Sequence, residues 1–163
     1  MRKGTVGVGF FGVMAGAAAG FLWNGHLKNK EIAQKTEKID KFKNYYNMLN
    51  QWLMLKQEGI SLEKYFTDNN IKSIAVYGMG EMGNRLFNEL KDSDVIIRYA
   101  IDQIAGNIYS DLKVCSLDDE LEDVDAVIVS ATFAFSSIKD QLAEKCDYPV
   151  ISLEDVVYSI SAN

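Results

Sequence analysis

Three glycines, in the run Gly78-Met79-Gly80-Glu81-Met82-Gly83, stand directly after the short branched apolar run Ile71-Lys72-Ser73-Ile74-Ala75-Val76-Tyr77. This G-x-G-x-x-G spacing lets a main chain bend tightly and come close to a phosphate. Gly78 permits the turn out of a strand. Gly80 puts no side chain between backbone and phosphate, and Gly83 lets the following helix pack close to the strand. The N–H groups at the start of that helix, at the positive end of its dipole, attract an anion. Met79, Glu81 and Met82 complete the candidate binding turn.

A carboxylate downstream gives the spacing more meaning. A second apolar run, Val95 to Ile101, ends in Asp102, which lies 19 residues after Gly83. An acid at that distance is placed to accept hydrogen bonds from ribose hydroxyls, and it repels an adenosine 2′-phosphate. NAD or a nucleotide sugar is therefore favoured over NADP. A purely structural role for Asp102, closing a loop, stays open. Ser130 and Thr132 follow a third apolar run, Asp125 to Ser130, and are expected at the same crevice, as ligand contacts or as helix caps.

These residues need a parallel sheet to bring them together. The runs Ile71–Tyr77, Val95–Ile101, Lys113–Ser116, Asp125–Ser130 and Val150–Ser152 read as strands. Asn84–Leu90 and Phe133–Lys145 read as helices, with Leu86, Phe87 and Leu90, and Phe135, Ile138 and Leu142, as their buried faces. A short helix begins at Leu153. Strands alternating with helices predict an α/β fold, a small Rossmann-like parallel sheet of about five strands, with ligands beyond the carboxyl ends of the strands.

Signs of catalysis are few. Tyr109 and Lys113 have the Tyr-x-x-x-Lys spacing of a proton-transfer pair, in which the lysine lowers the tyrosine pKa. They follow the second strand, whereas short-chain epimerases and dehydrogenases carry that pair on a helix beyond the fourth. The single histidine, His26, lies far from any candidate nucleophile, and no helix carries a metal-binding His and carboxylate spacing. Cys115 and Cys146 form no CxxC and read as free thiols of a reducing compartment. The chain ends soon after the last strand, so no second domain is expected to supply a substrate pocket.

Charge is unevenly distributed. Residues 71–163 carry seven basic and 17 acidic side chains, a poor basis for nucleic-acid binding, which needs phosphates neutralised by Lys and Arg. Residues 1–35 carry five basic side chains and one acid. Within them, Gly4 to Trp23 holds no charge. At about 1.5 Å per residue this run spans roughly 30 Å, the thickness of a bilayer core. It predicts a transmembrane helix. Gly12, Gly16 and Gly20 share one face and predict a homodimer through close helix approach. Two alternatives are a cleaved signal peptide ending near Ala17-Ala18-Ala19, opposed by the continuation of the run through Phe21, Leu22 and Trp23, and a buried soluble helix, opposed by the glycine content of the run. Lys28, Lys30, Lys35, Lys38, Lys41 and Lys43 outweigh Arg2 and Lys3. The positive-inside rule then predicts a single-pass membrane protein with its C-terminal domain in the cytoplasm.

Between the two parts, Glu31 to Glu58 reads as a long connecting helix. Ile39, Phe42, Tyr46, Leu49 and Leu53 make one apolar stripe of about two heptads, short for a coiled coil. Trp52, Met54 and Leu55 widen it, which predicts packing against the following domain. Gly59 is the expected helix stop and Ser61 the N-cap of a short helix through Phe66. The organisation is thus 1–27 membrane segment, 28–70 helical connector and 71–163 nucleotide-binding domain.

The segment IAVYGMGEMGNRLFNELKDSDVIIRYAID resembles the Rossmann-like module of bacterial polysaccharide-biosynthesis proteins, found in nucleotide-sugar epimerases and in accessory domains of glycosyltransferases. The likeness extends through DVDAVIVSATFAF and YPVISLEDVVY, and MLNQWLMLKQEGISLEKYF resembles the lead-in of those accessory domains. Gly78, Gly80, Gly83 and Asp102 match positions to which the wider fold assigns a role. The resemblance implies a Rossmann-like fold and a nucleotide or nucleotide-sugar ligand; with the apolar run at 4–23 and the absence of a catalytic constellation in the sequence, the reading is a membrane-anchored, non-catalytic module for NAD or a nucleotide sugar, beside envelope-polysaccharide enzymes. An epimerase or oxidoreductase completed by a partner, and a degenerate fold used for protein contacts, are the alternatives.

Overall fold

A computed structural model of the chain describes the backbone of residues 7–102 and 112–160, and the side chains of 32–102 and 112–160. The elements are α1 (Gly7–Gln57), α2 (Glu63–Asp68), β1 (Ser73–Tyr77), α3 (Glu81–Leu90), β2 (Ile96–Ile101), β3 (Val114–Cys115), β4 (Ala126–Val129), α4 (Phe135–Ala143), β5 (Val150–Ser152) and α5 (Leu153–Ser159). A single 3-10 turn, Thr132–Ala134, precedes α4. Two compact units are present, Met1–Tyr45 and Tyr46–Asn163.

In the second unit all five strands run parallel, in the order β3-β2-β1-β4-β5. This is the doubly wound order, in which the chain starts at the centre, builds one half outward, and returns to build the other. The expected α/β class and five-stranded parallel sheet are therefore present. Both faces of the sheet are covered, as parallel sheets require. Ala75, Tyr77, Tyr99, Ile101, Val127 and Val129 pack on one face with Ile138 and Leu142 of α4. Residues of the other parity, such as Ile74, Val76, Ala100 and Ile128, are buried as well.

The first unit departs from the sequence expectation. The membrane segment and the connector are one continuous helix, α1, instead of two. Among the described residues no helix is long and apolar enough to cross a membrane. The side chains of the apolar run at 4–23, its Gly12, Gly16 and Gly20 face, and His26 lie outside the described residues.

The apolar stripe of α1 is also corrected. Of the widened stripe expected to pack on the domain, Trp52 and Leu55 are buried, whereas Ile39, Phe42, Tyr46, Leu53 and Met54 are exposed, Phe42 at 72% and Tyr46 at 70%. The buried side chains are Met48, Trp52 and Leu55, at i, i+4 and i+7 on a neighbouring face. The physical reason lies in Glu89 of α3. Its carboxylate, with 7% of the side chain exposed, holds Lys56 Nζ at 2.7 Å. It also accepts from Ser61 Oγ at 3.1 Å and from the Leu62 amide at 3.3 Å. The Lys56 bond ties the last turn of α1 to α3, and the other two tie the chain that follows the helix to the same carboxylate.

Both chain reversals before the sheet follow from left-handed residues. Gly59 has φ +75°, with Gly59 N–H donating to Lys56 O and Ile60 N–H to Leu55 O. Asn70 has φ 56°, with Asn70 N–H donating to Thr67 O and Ile71 N–H to Phe66 O. Each is a Schellman stop, in which one residue in the left-handed region turns the chain and two amides satisfy helix carbonyls. Ser61 Oγ accepts from Glu63 N–H at 3.2 Å, close to the expected capping role, although α2 itself starts two residues later.

Candidate functional site

Register, more than spacing, assembles the site. Tyr77 of β1 stands beside Ile101 of β2 and Val129 of β4. The next residues, Gly78, Asp102 and Ser130, therefore emerge together at the carboxyl rim of the sheet. Two ladder bonds continue past the strand ends, Gly78 N–H to Ile101 O at 2.8 Å and Ser130 N–H to Tyr77 O at 3.0 Å. A β-bulge makes this alignment. Ile74 pairs with Ile97 but Ala75 pairs with Tyr99, so Arg98 is an extra residue on β2. Without it, Asp102 would stand one position beyond Gly78.

The glycine turn is held from three sides. Gly78 has φ +87°, a conformation L side chains rarely adopt. Its carbonyl accepts the Ser130 hydroxyl at 2.6 Å. The Met79 N–H donates to Asp102 Oδ2 at 2.9 Å. The Asn84 side-chain amide donates to Met79 O and Gly80 O, both at 3.0 Å. Gly83 packs against the turn so closely that a Cβ there would lie 2.1 Å from Gly78 O. Gly78 and Gly83 are thus demanded by the fold itself.

Gly80 is different. Its φ is −70°, and nothing lies within 4 Å of where its Cβ would stand. It is the N-cap of α3, and no side chain caps that helix. Gly80, Glu81, Met82 and Gly83 carry the four amides that an α-helix cannot satisfy internally. Their side chains do not line the crevice evenly. Met79 and Met82 are buried, at 2% and 5% exposure. Glu81 is exposed and pairs with Arg85 one turn on, at 2.7 Å. What the turn offers a ligand is backbone.

Asp102 is half-buried. Its bond to Met79 makes it a brace of the turn as well as a candidate ribose acceptor. Ser130 is buried at 4% and also braces the turn. Thr132 is half-buried and opens the 3-10 turn ahead of α4, and no side chain caps either that turn or α4. The structure therefore brings Gly78, Gly80, Asp102 and Ser130 to one rim.

Sequence reasoning missed Asn84, whose place in the first turn of a helix after glycines was the available signal. It also missed the bulge at Arg98, for which the sequence carries no signal. Of the Tyr-x-x-x-Lys pair, Tyr109 lies outside the described residues. Lys113 Nζ holds Glu122 Oε1 at 2.7 Å across the β3 side of the sheet, and that bond raises the lysine pKa and lowers the glutamate's. Among the described residues no group of three or more His, Cys, Asp or Glu is placed to hold a metal ion. Cys115, which is buried, and Cys146, half-buried, are both free.

A separate groove of about 530 Å³ lies between α1 and α3, walled by Leu49, Trp52 and Leu53 on one side and Arg85 and Glu89 on the other. It does not include the glycine turn.

The fold and rim geometry define a doubly wound α/β unit with a glycine turn at its topological switch point. The chain matches no protein-family model, no curated protein and no solved structure.

Proposed function

We propose that the α/β unit is a non-catalytic binding module for a nucleotide, NAD or a nucleotide sugar. A phosphate would accept the uncapped amides of Gly80 to Gly83, and Asp102 would take ribose hydroxyls while disfavouring a 2′-phosphate. The observation that carries this reading is the open space at Gly80. A glycine with φ −70° and nothing within 4 Å of its missing side chain is not required by folding, and approach of a ligand to the backbone is a reason for it. Its place at the point where strand order reverses supports the same reading.

The module would be tethered through residues 4–23 to the cell membrane, with the α/β unit in the cytoplasm, as the apolar run and its basic flank suggest. A dimer through Gly12, Gly16 and Gly20 and a place beside envelope-polysaccharide enzymes belong to this reading. Carbonate extraction of membranes holding the full chain tests the tether, and release into the supernatant removes it.

A second reading is a doubly wound fold kept for protein contacts. The Met79–Asp102 bond favours it, because a carboxylate already occupies one amide of the turn, and Glu81 adds a second acid at the helix start. Calorimetric titration of the full chain with NAD, NADH and UDP-sugars separates the two. Saturable binding of one ligand, lost in Gly80→Val, supports the module. Absence of heat with all of them supports protein contact.

A further inference from the structure

The carboxyl rim at the centre of the sheet carries acids and no bases. In the sequence, the four residues that follow each of β1, β2 and β4, the three central strands, include Glu81 and Asp102 and no Lys or Arg. Bases stand at the other end of the same elements, Lys72 before β1 and Lys91 after α3. Lys113 and Lys145 hold Glu122 and Asp118.

The glycine turn meets both rim acids. Asp102 Oδ2 accepts the Met79 amide at 2.9 Å. Glu81 is the first residue of α3, beside the uncapped Gly80, and its Oε1 holds Arg85 Nη2 at 2.7 Å. Arg85 is the first cation on the chain after the turn, and it is already paired. Both side chains are more than half exposed, Arg85 at 51% and Glu81 at 73%, so packing of the unit does not require them.

We propose that these two carboxylates make the turn a filter for phosphate charge, admitting a diphosphate esterified at both ends and rejecting a terminal phosphate. This rests on the nucleotide reading of the turn. The start of a helix supplies only about half an elementary positive charge. In a diphosphate esterified at both ends each phosphate carries a single negative charge. A terminal phosphate carries about −1.5 to −2 at pH 7. Beside Asp102 and Glu81 that additional charge is repelled, and the turn brings no Lys or Arg to offset it. NAD and nucleotide sugars hold the first kind of diphosphate, whereas ADP, UDP and ATP end in the second. Glu81 is thus a specificity-determining residue, and Arg85 moderates it by neutralising its charge. An acid in the first turn also suits the helix dipole. A role confined to the dipole draws no distinction between the two kinds of phosphate.

Calorimetric titration of the full chain in a neutral detergent, with EDTA to exclude metal counter-ions, compares NAD with ADP and UDP-glucose with UDP. Within the pair that binds, the esterified ligand should bind about tenfold more tightly, a factor of about three for each carboxylate acting over roughly 6 Å in water. Glu81→Gln should narrow that ratio about threefold, and Arg85→Gln, which leaves Glu81 unneutralised, should widen it. Circular dichroism should be unchanged in both variants. ADP or UDP bound as tightly as its esterified counterpart, or a ratio unmoved by Glu81→Gln, would overturn the filter and leave the nucleotide reading standing. Absence of heat with all four ligands would overturn both.

Discussion

The carboxylate of Asp102 accepts the main-chain N–H of Met79 at 2.9 Å. This one bond ties the end of β2 to the bend after β1. It exists because the bulge at Arg98 advances β2 by one residue. A residue read from sequence as a ligand acceptor is therefore also part of the frame that shapes the ligand's seat. Asp102→Asn keeps the size but weakens a charge-assisted bond. We expect a loss of about 1–2 kcal/mol in stability by urea titration, and at least tenfold weaker NAD binding if the ribose role holds.

Two glycines of the same turn should respond oppositely. Gly83→Ala forces a methyl to 2.1 Å from Gly78 O, so the helix or the turn must move. A loss of about 3 kcal/mol is expected, the upper range of overpacking. Gly80→Ala meets nothing within 4 Å and should cost only about 0.5–1 kcal/mol, roughly the N-cap difference between the two residues. Thermal melts of the two variants side by side decide this. A Gly80→Ala as destabilised as Gly83→Ala would contradict the open geometry at that position.

Ser130→Ala removes the donor to Gly78 O, a 2.6 Å bond, and leaves that carbonyl without it. The expected cost is about 1–3 kcal/mol. Ser130→Cys, which restores a weak donor of larger size, should recover little. Chemical denaturation of both variants is the measurement, and equal stability to the parent protein would show that the hydroxyl is not a brace.

At the opposite rim, one oxygen of Asp125 accepts the amides of Lys72 and Ser73, each at 2.8 Å, and the Ser73 hydroxyl at 3.0 Å. The Lys72 amide, then the Ser73 amide and hydroxyl, hold its pKa below the usual 3.8. A lowered folded pKa means that this stabilisation is complete above about pH 4 and is lost as pH falls through the folded value. The gap in urea midpoint between the parent protein and Asp125→Asn should be constant near neutrality and should close in acid. A gap independent of pH would show that the carboxylate charge plays no part.

Alkali should unfold the same unit for the opposite reason. Burial, followed by the nearby Tyr148, Cys146, Cys115 and Glu122, pushes Tyr99 up to about 12. Its hydroxyl donates to Glu122 O at 2.8 Å. Tyr148 also rises to about 12, chiefly through its hydrogen bond to Asp123. With both folded values above the ordinary 10, the unfolded chain ionises first. Stability is then full below pH 10 and declines between about 10 and 12. Tyrosinate absorbance should rise in step with unfolding, and Tyr99→Phe should remove part of that dependence. Titration of every tyrosine near pH 10 without unfolding would refute it.

Much of this was legible in the amino acids. Branched apolar runs gave β1, β2, β4 and β5 to within a residue or two, because strands buried on both faces leave little room for polar residues. Gly59, placed as a helix stop, has the positive φ such a stop uses. The buried face of α1 was legible only in part: Trp52 and Leu55 stand out in the sequence and are buried, but nothing in the run sets buried Met48 apart from exposed Tyr46 and Leu53. The role of Ser130 as a brace was hidden, and for Asp102 the sequence left a structural role open without naming its partner. Whether a rim side chain turns inward to the backbone depends on a register that a single bulge can move.

The two edges of the sheet are short. β3 runs only from Val114 to Cys115, and β5 from Val150 to Ser152. An edge of two or three residues gives an incoming strand almost no unpaired backbone to hold. Strand addition at β3 or β5 is therefore disfavoured, and crowding many copies together should not by itself draw them into fibres through these two strands.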